Sequence, residues 1–495
     1  MLFPGDNMFD LTKKGLNIAK MQAITIPADK ITPIKILSEM DTKVLLESAY
    51  SETGKGKYSI LILKEAFTIY KEKDKYYLKN PNGKKYSVGN VKGGFLQILK
   101  EFRDRAPENQ NLYEFPIPLG GLGYLGYEYF TEIEDIQFRH NDEKRGFYDC
   151  AFIFGRNFLI FDHIHDTALV VSVSYSGEIE EVDLQKEIDE IQSEINRITS
   201  ENHSYLPTEN KKSKITDNPD DKEKFIEKVN FVKNEIYKGN MIQCVLSRRV
   251  EIETNYTPLE AYRNLRMRNP SPYMFYLNFN DFVIYGASPE VMVKVKNDKV
   301  ILRPIAGTRK RGDTLAMDNA LENELKNDVK EKAEHLMLVD LGRNDIGVVA
   351  AAGSVKVTAD MVIERYSDVM HIVSEVEGAL SKDKTTEDAI KSTFPAGTVS
   401  GAPKIQAIKT IDKLEDYRRN VYAGLIGYFE RNGDFDSCIA IRTAISKGNK
   451  VWLQAGAGLV YDSIPEKEYE ETENKMKALY VALGLMEAKN DIVNR

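Results

Sequence analysis

Two pairs of glutamates have a spacing that could hold a metal ion. Glu331 and Glu334 stand three residues apart with His335 beside them, and Glu468 and Glu471 stand three apart with Lys475 one turn further on. Side chains at i and i+3 or i+4 share one face of a helix. If the two helices face one cleft, four carboxylates converge and repel one another unless a hard cation stands between them. Mg²⁺ suits that role, because it takes one or two carboxylates, keeps waters and leaves positions for an anionic substrate. The competing reading is that Glu-x-x-Glu arises by chance among 76 acidic residues and marks a solvated helix face.

Other residues carry chemistry singly. Arg442 lies inside the apolar run Ser437–Ala444, where an arginine is either paired structurally or holds a carboxylate. Gly456 and Gly458 close the run Gln454-Ala-Gly-Ala-Gly458 and could turn backbone N–H groups toward an anion; a plain turn is the alternative. His371 opens a β-like run, a place that suits a structural histidine as well as a catalytic one. Gly397-Thr-Val-Ser-Gly401-Ala-Pro-Lys404 has three residues between its glycines where a P-loop has four, and Pro403 removes a donor. Its glycines still permit close approach to an anion, and Pro403 suits the first position of a helix to about Leu414. Gly121-Leu-Gly-Tyr-Leu-Gly126 matches the dinucleotide fingerprint in letters only. Pro116-Ile-Pro118 precedes it and Tyr127-Glu-Tyr-Phe130 follows, so a tight turn is expected.

These residues need a scaffold of some size, and 495 residues allow two large domains or about three smaller ones. The net charge of −8, without a basic block, argues against non-specific nucleic-acid binding. No apolar run approaches a membrane span, and the N-terminal stretch lacks a basic segment followed by an apolar one. Cys150, Cys244 and Cys438 are scattered and odd in number, which fits a reducing cytoplasm. Residues 199–221 are polar except for Tyr205, Leu206 and Ile215, and read as a linker; the expected units are 1–205 and 206–495.

Before the linker, β-like runs dominate at 44–49, 58–63, 67–70, 151–161 and 168–173, with helices near 95–105 and 180–198. After it, Asp220 and Glu223 propose a capping box for a helix ending at Gly239. Asn297-Asp298 and Asn432-Gly433 mark hairpins. Residues 321–339 form one long amphipathic pattern, and Ser463, Pro465 and Glu466 start a final helix to about Met486. Hairpins in place of βαβ units predict an α+β fold, largely antiparallel, with helices packed outside.

Taken together, several segments resemble the chorismate-utilising enzymes, and within them the anthranilate synthase component I branch. They are Gly286-Ala-Ser-Pro-Glu290, Arg303-Pro-Ile-Ala-Gly-Thr308, the stretch Glu334–Asp345, the stretch Phe394–Lys404, Asp436–Ala444 and Glu471-Thr-Glu-Asn-Lys475. The first segment matches more loosely, through Leu45-Leu-Glu-Ser48 and Gly120-Gly121 with Gly123-Tyr124. The resemblance implies two largely antiparallel β-sheets sandwiched and flanked by helices, with a regulatory and partner-binding N-terminal unit and a catalytic C-terminal one. It implies that Glu334 and Glu471 ligate Mg²⁺, supported by Glu331 and Glu468. It assigns the chorismate carboxylates to Tyr422, Arg442, Lys475 and the amides of Gly456 and Gly458, and lines the site with Gly307, Thr308 and Thr398. Glu290 matches the family's acid and His371 the histidine ascribed to the later elimination.

That chemistry suits the residues. Chorismate is a dianion, so an arginine, a lysine, amides and a metal all contribute to its binding. Ammonia adds at ring C2 while the C4 hydroxyl leaves, a departure that a protonated Glu290 assists. Pyruvate is then eliminated and the ring becomes aromatic. Relatives that use water carry a lysine base where this chain has Gln243, and para-aminating relatives a nucleophilic lysine where it has Ala306. Both favour ammonia and anthranilate. The alternatives are an aminodeoxychorismate synthase component I and a non-catalytic tryptophan-sensing or glutaminase-binding subunit. No cysteine–histidine–glutamate glutaminase segment is visible, so a separate glutamine amidotransferase subunit is implied as partner. L-tryptophan is implied as a feedback inhibitor, held by Glu47, Ser48, Pro272, Tyr273 and Met274.

Overall fold

The computed structural model describes residues 8–9, 18–49, 56–89, 91–108, 112, 114–140, 145–178, 181–200, 211–366 and 369–487. Its two longest strands, Tyr58–Glu72 and Cys150–Asp162, explain how the sheets are joined. They pair antiparallel, and their register slips three times around Lys64 and Glu65 opposite Gly155 and Asn157. Such slips bend a strand, because the bulged residues lose their places in the ladder. Each strand therefore serves one sheet with one end and a second sheet with the other.

The first sheet runs Ser213–Asp217, Gln243–Thr254, Lys450–Leu459, Thr443–Lys447, Val283–Ser288, Tyr273–Asn278, Val44–Glu47, then the start of Tyr58–Glu72, the end of Cys150–Asp162, Thr167–Ser174 and Lys20–Pro27. The second runs Lys356–Arg365, Val369–Ala379, Lys299–Leu302, Val291–Lys296, Phe435–Ile439, Leu425–Phe429, Leu122–Leu125, the start of Cys150–Asp162, the end of Tyr58–Glu72, Lys75–Lys79 and Lys85–Val88. The pairings in both runs are antiparallel. Phe275, Leu277, Ile284 and Trp452 of the first sheet meet Val293, Leu425, Ile426 and Phe429 of the second in one buried cluster, which makes the sandwich. A second cluster places Tyr262, Met476, Leu479 and Tyr480 of the helices Pro258–Arg268 and Pro465–Ala482 on the outer face of the first sheet. The α+β plan expected from the hairpins is thus the observed one.

Both expected hairpins form. At Asn297-Asp298 both residues take positive φ (50° and 58°), the demand of a two-residue turn between Lys296 and Lys299. Asn432-Gly433 sits in the loop that joins Phe429 to Phe435.

Several elements differ from the sequence expectation. The pattern at 321–339 is two helices, Leu315–Asn327 and Val329–Gly347, broken at Asp328. Asp328 takes ψ of 110° and its carboxylate accepts from the amides of Lys330 and Glu331, so a local cap overrides the continuous apolar pattern. The helix Lys222–Tyr237 is capped by Asp221, while Asp220 turns inward to Lys228 and Tyr417. The final helix starts at Pro465 with Ile464 as its cap, and the Ser463 hydroxyl accepts instead from the Val460 amide. Pro403 stands before the helix Lys404–Leu414 rather than inside it. The turn expected around Gly121 closes on Pro118, and the residues after it, Leu122–Leu125, are a strand whose Gly123 has no room for a side chain beside Ala151.

Of the linker, 201–210 lies outside the described residues. The rest of the expected linker is partly structured: residues 199–200 end the helix Leu184–Ser200, and Ser213–Asp217 adds an edge strand to the first sheet. The two sequence segments share both sheets: Leu45 pairs with Tyr276, and Gly123 with Gly427. Among the described residues no helix is long and apolar enough to cross a membrane.

Candidate active site

The apolar run that contains Arg442 is not one strand. Phe435–Ile439 belongs to the second sheet and Thr443–Lys447 to the first, so residues 440–442 are where the chain changes sheets. Arg442 absorbs the change with φ of 51°, a left-handed conformation that a side-chain-bearing residue adopts at a cost. Its guanidinium has no hydrogen-bond or ion-pair partner among the described residues. Burial presses it below its usual value, while Tyr422, Glu471 and Glu290 nearby act in the opposite direction. An arginine held this way, with its donors unspent, is ready for an anionic ligand.

Glu290 follows the strand Val283–Ser288 and faces the same space. Burial raises its carboxyl to about 7, opposed by the Thr398 hydroxyl and by Lys475 and Arg442. The Thr398 oxygen is itself buried and completes no well-formed hydrogen bond among the described residues. Glu290 is thus a carboxyl substantially protonated at neutral pH, beside cationic groups, which is what a general acid needs.

Lys475 donates to the Gly456 carbonyl (2.8 Å) and pairs with Glu471 (2.6 Å). In an antiparallel strand a residue's N–H and C=O point to the same side. The Gly456 amide therefore faces the Lys475 side, and so does that of Gly458 two residues on. The opposite strand agrees: Ser247, across from Gly456, sends its amide to Glu415, and Val245, across from Gly458, sends its amide to Ser400. Side chains are excluded here, since a Cβ on Gly456 would lie 2.7 Å from the Tyr422 hydroxyl and one on Gly458 2.9 Å from Gln243 Nε2. Both glycines lie within the strand Lys450–Leu459, not in a turn.

The four carboxylates come to one region. Glu334 is raised by burial, then by Glu331 and Glu471; Glu468 is raised by burial and by Glu471. Two are met by cations of the chain, Glu331 by Arg309 (3.2 Å) and Glu471 by Lys475. Among the described residues no three His, Cys, Asp or Glu side chains stand close enough to hold a metal as placed. The set nevertheless fits a hard divalent cation, since it offers oxygen donors and a mutual repulsion that such an ion relieves. His335, beside Glu334, is buried and bonds Ser374 (2.7 Å), a structural role.

His371 Nδ1 lies 3.1 Å from both the Gly307 carbonyl and the Thr308 hydroxyl. A bond to the carbonyl assigns the proton to Nδ1 and leaves Nε2 as the free base. Burial pushes the imidazole down, toward the neutral form. Gly307 has φ of 72° at a bulge in the strand Ile305–Lys310, and a Cβ there would come within 3.3 Å of Glu331, so this strand ties the histidine to the carboxylate helix.

Contacts and mutual electrostatic influence link the candidates for acid, substrate and metal roles into one neighbourhood: Glu290, Thr398, Arg442, Tyr422, Lys475, Gly456, Gly458, Gln243, Gly307, Thr308, His371 and the four glutamates. The residues ascribed to tryptophan divide. Glu47, Ser48, Pro272 and Tyr273 line a separate cavity between the two segments. Met274 does not: strand alternation turns it away from Tyr273, onto the face it shares with its cross-strand partner Glu47 and into the core with Tyr262 and Ala287. Glu47 is already engaged by Arg266 (2.7 and 2.8 Å) and Tyr262 (3.0 Å), while the Ser48 hydroxyl is buried without a partner among the described residues.

Two pairs, one half-buried and one buried, have no signature in the sequence. Asp345, raised to about 6 by burial, pairs with Lys404 (3.2 Å) and docks the loop 394–403 on the helix Val329–Gly347. Glu415 pairs with Arg419 (2.6 Å) beneath the glycine strand. The letters Asp345 and Lys404 stood inside recognised segments, but nothing in their spacing said that they meet.

A fold that brings together an arginine without a partner among the described residues, a carboxyl raised to about 7 and an acidic helix pair suits an enzyme acting on a small anion. The chain belongs to the chorismate binding enzymes, whose family pattern matches residues 48–481. It is 41% identical to the anthranilate synthase component 1 of Spirochaeta aurantia over 476 residues, 96% of this chain and 97% of that one. It is also 41% identical to that of Acetivibrio thermocellus, covering 98% and 99%. Anthranilate synthase component I of Streptococcus pneumoniae superposes with a TM-score of 0.72 at 35% identity, covering 92% of this chain and 98% of that one. The menaquinone-specific isochorismate synthase of Escherichia coli shares the fold alone, with a TM-score of 0.69 at 19% identity.

Proposed function

We propose that this chain is the large subunit of an anthranilate synthase, converting chorismate and ammonia to anthranilate and pyruvate in tryptophan biosynthesis. The observation that carries the reading is Glu290, a carboxyl with a value of about 7 facing an arginine that has no partner among the described residues. Arg442, Lys475, Tyr422 and the amides of Gly456 and Gly458 hold the substrate's carboxylates. Glu290 delivers its proton to the departing C4 hydroxyl, so that water leaves in place of hydroxide. Gln243 cannot deprotonate a water, which leaves ammonia, already nucleophilic, to attack C2. Ala306, in the strand beside Ile372, cannot attack the ring as a lysine would. His371, with Nε2 unprotonated, takes the C2 proton when pyruvate departs and the ring becomes aromatic. Mg²⁺, held by Glu334 and Glu471 with Glu331 and Glu468 in support, would supply charge neutralisation at the ring carboxylate.

The nitrogen comes from a separate glutamine amidotransferase. All three cysteines here are buried and free, and burial raises each thiol, Cys244 to about 12. None is poised as the thiolate that glutamine hydrolysis requires. Buried unpaired thiols also favour a cytoplasmic setting. L-tryptophan is proposed as inhibitor in the cavity lined by Ser48, Pro272 and Tyr273, between the two segments. The test is incubation with chorismate, Mg²⁺ and ammonium. Anthranilate is the expected product; 4-amino-4-deoxychorismate would promote the para-aminating alternative, and an inert chain the non-catalytic one.

A further inference from the structure

The groups proposed to hold the substrate stand beside three chain segments, around 245, 399 and 415–422, and one buried side chain touches all three. Arg419 is 3% exposed. Its Nε and Nη2 donate to the two carboxylate oxygens of Glu415 (2.8 and 2.6 Å), its Nη2 also to the Val245 carbonyl (2.8 Å), and its Nη1 to the Val399 carbonyl (2.8 Å). Its guanidinium lies 5.5 Å from the centre of the Tyr422 ring. Glu415 passes the connection on, accepting from the amide and the hydroxyl of Ser247 (2.8 Å each).

Each contact stands one step from a substrate group. Val399 follows Thr398 in the chain. Val245 is the cross-strand partner of Gly458, and Ser247 of Gly456. Tyr422 is itself a proposed ligand. None of these links involves the reacting atoms, so Arg419 has no catalytic contact of its own. We propose that Arg419, backed by Glu415, is a positioning residue that sets the spacing between Thr398, Tyr422 and the amides of Gly456 and Gly458. The inference rests on the reading of the cleft as a chorismate site.

The first segment supports the same turn. Glu128 accepts the backbone amides of Arg419 (2.8 Å) and Asn420 (3.1 Å), holding Asn420 at φ of 52°. The geometry explains why arginine stands at 419. A planar fork reaches three acceptors at fixed angles, whereas the lysine ammonium is one point that cannot span Glu415, Val245 and Val399 together.

The test uses the full chain with ammonium as nitrogen source and two variants, Arg419→Lys and Glu128→Gln. Arg419→Lys keeps the charge that Glu415 needs, and Glu128→Gln keeps one of two acceptor oxygens, so both are mild. Misplacing binding groups that act on the bound substrate should raise KM for chorismate about tenfold or more in Arg419→Lys, with a smaller rise in Glu128→Gln. Turnover at saturation should stay within about threefold, because the lost interactions are uniform binding contacts. Calorimetric chorismate affinity should fall in step with KM. Folded variants with unchanged KM, or with lower kcat and unchanged KM, would overturn the proposal. If Arg419→Lys does not fold, Glu128→Gln decides in the same way. A wild-type chain that neither binds nor converts chorismate overturns the functional reading, and this proposal with it.

Discussion

Glu290→Gln separates what this residue does for catalysis from what it does to the fold. Moving a carboxyl from 4.5 to about 7 means that the ionised form is about 3 kcal/mol less favourable here than in water. Burial causes the shift, and Arg442, Lys475 and Thr398 only reduce it. Glutamine keeps the shape but neither ionises nor gives up a proton. The chemical step should slow about 10²- to 10⁴-fold, the usual worth of a positioned acid. Stability should move the other way. The folded value lies above the unfolded one, so the favourable contribution of wild-type Glu290 is complete below the unfolded value and is lost as pH rises through about 7. The variant escapes that loss. It should match wild type near the acid end and exceed it by up to about 3 kcal/mol at mildly basic pH. The assay pairs two measurements: ammonium-dependent anthranilate formation at fixed free ammonia, and urea unfolding at one pH on each side of neutrality. Wild-type turnover should decline above about pH 7, where the acid loses its proton. A variant with near-normal turnover, or one less stable than wild type at basic pH, would refute the argument.

Three further outcomes are expected. Glu334→Gln and Glu471→Gln should each weaken Mg²⁺ binding, measured by calorimetry with chorismate present, and remove much of the rate; full turnover in excess chelator would dismiss the metal. The isolated chain should form anthranilate from ammonium and not from glutamine, and product from glutamine without a second subunit would remove the case for a partner. Millimolar tryptophan should inhibit, and Ser48→Phe, which fills the cavity from the side of a hydroxyl without a partner among the described residues, should abolish inhibition with activity largely intact; calorimetry that detects no tryptophan binding would end that proposal.

The candidate site was legible in the sequence to the extent that its chemistry is local. Glu-x-x-Glu on a helix, a glycine pair on a strand and an arginine in an apolar run announce themselves because each motif sits within one turn or one strand. The hairpin turns were legible for the same reason, since Asn297-Asp298 takes its left-handed angles from its own side chains. Most of what escaped depends on partners far along the chain, though one miss is local. The helix break at Asp328 was hidden by an apolar pattern that continues across it, although the capping residue was in plain view. The change of sheets at Arg442 could not be seen either, because an apolar run looks the same whether it stays in one sheet or crosses between two.

The same reasoning accounts for Arg419. Its acceptors come from positions 245, 399 and 415, and the turn that carries it is held by Glu128. Glu415 stands four residues before Arg419, but no spacing rule links them to 128, 245 or 399, and a buried arginine resembles any other in a list of letters. Residues that touch substrate must be of particular types, so they leave motifs; residues that hold them in place need only a suitable shape and a partner. The cleft therefore reads from sequence as a set of reactive groups, and only the fold shows the groups that fix their distances. Those distances decide whether Arg442, Lys475 and the two glycine amides can hold one dianion together, so the supporting shell is where relatives with the same reactive residues can still differ in affinity.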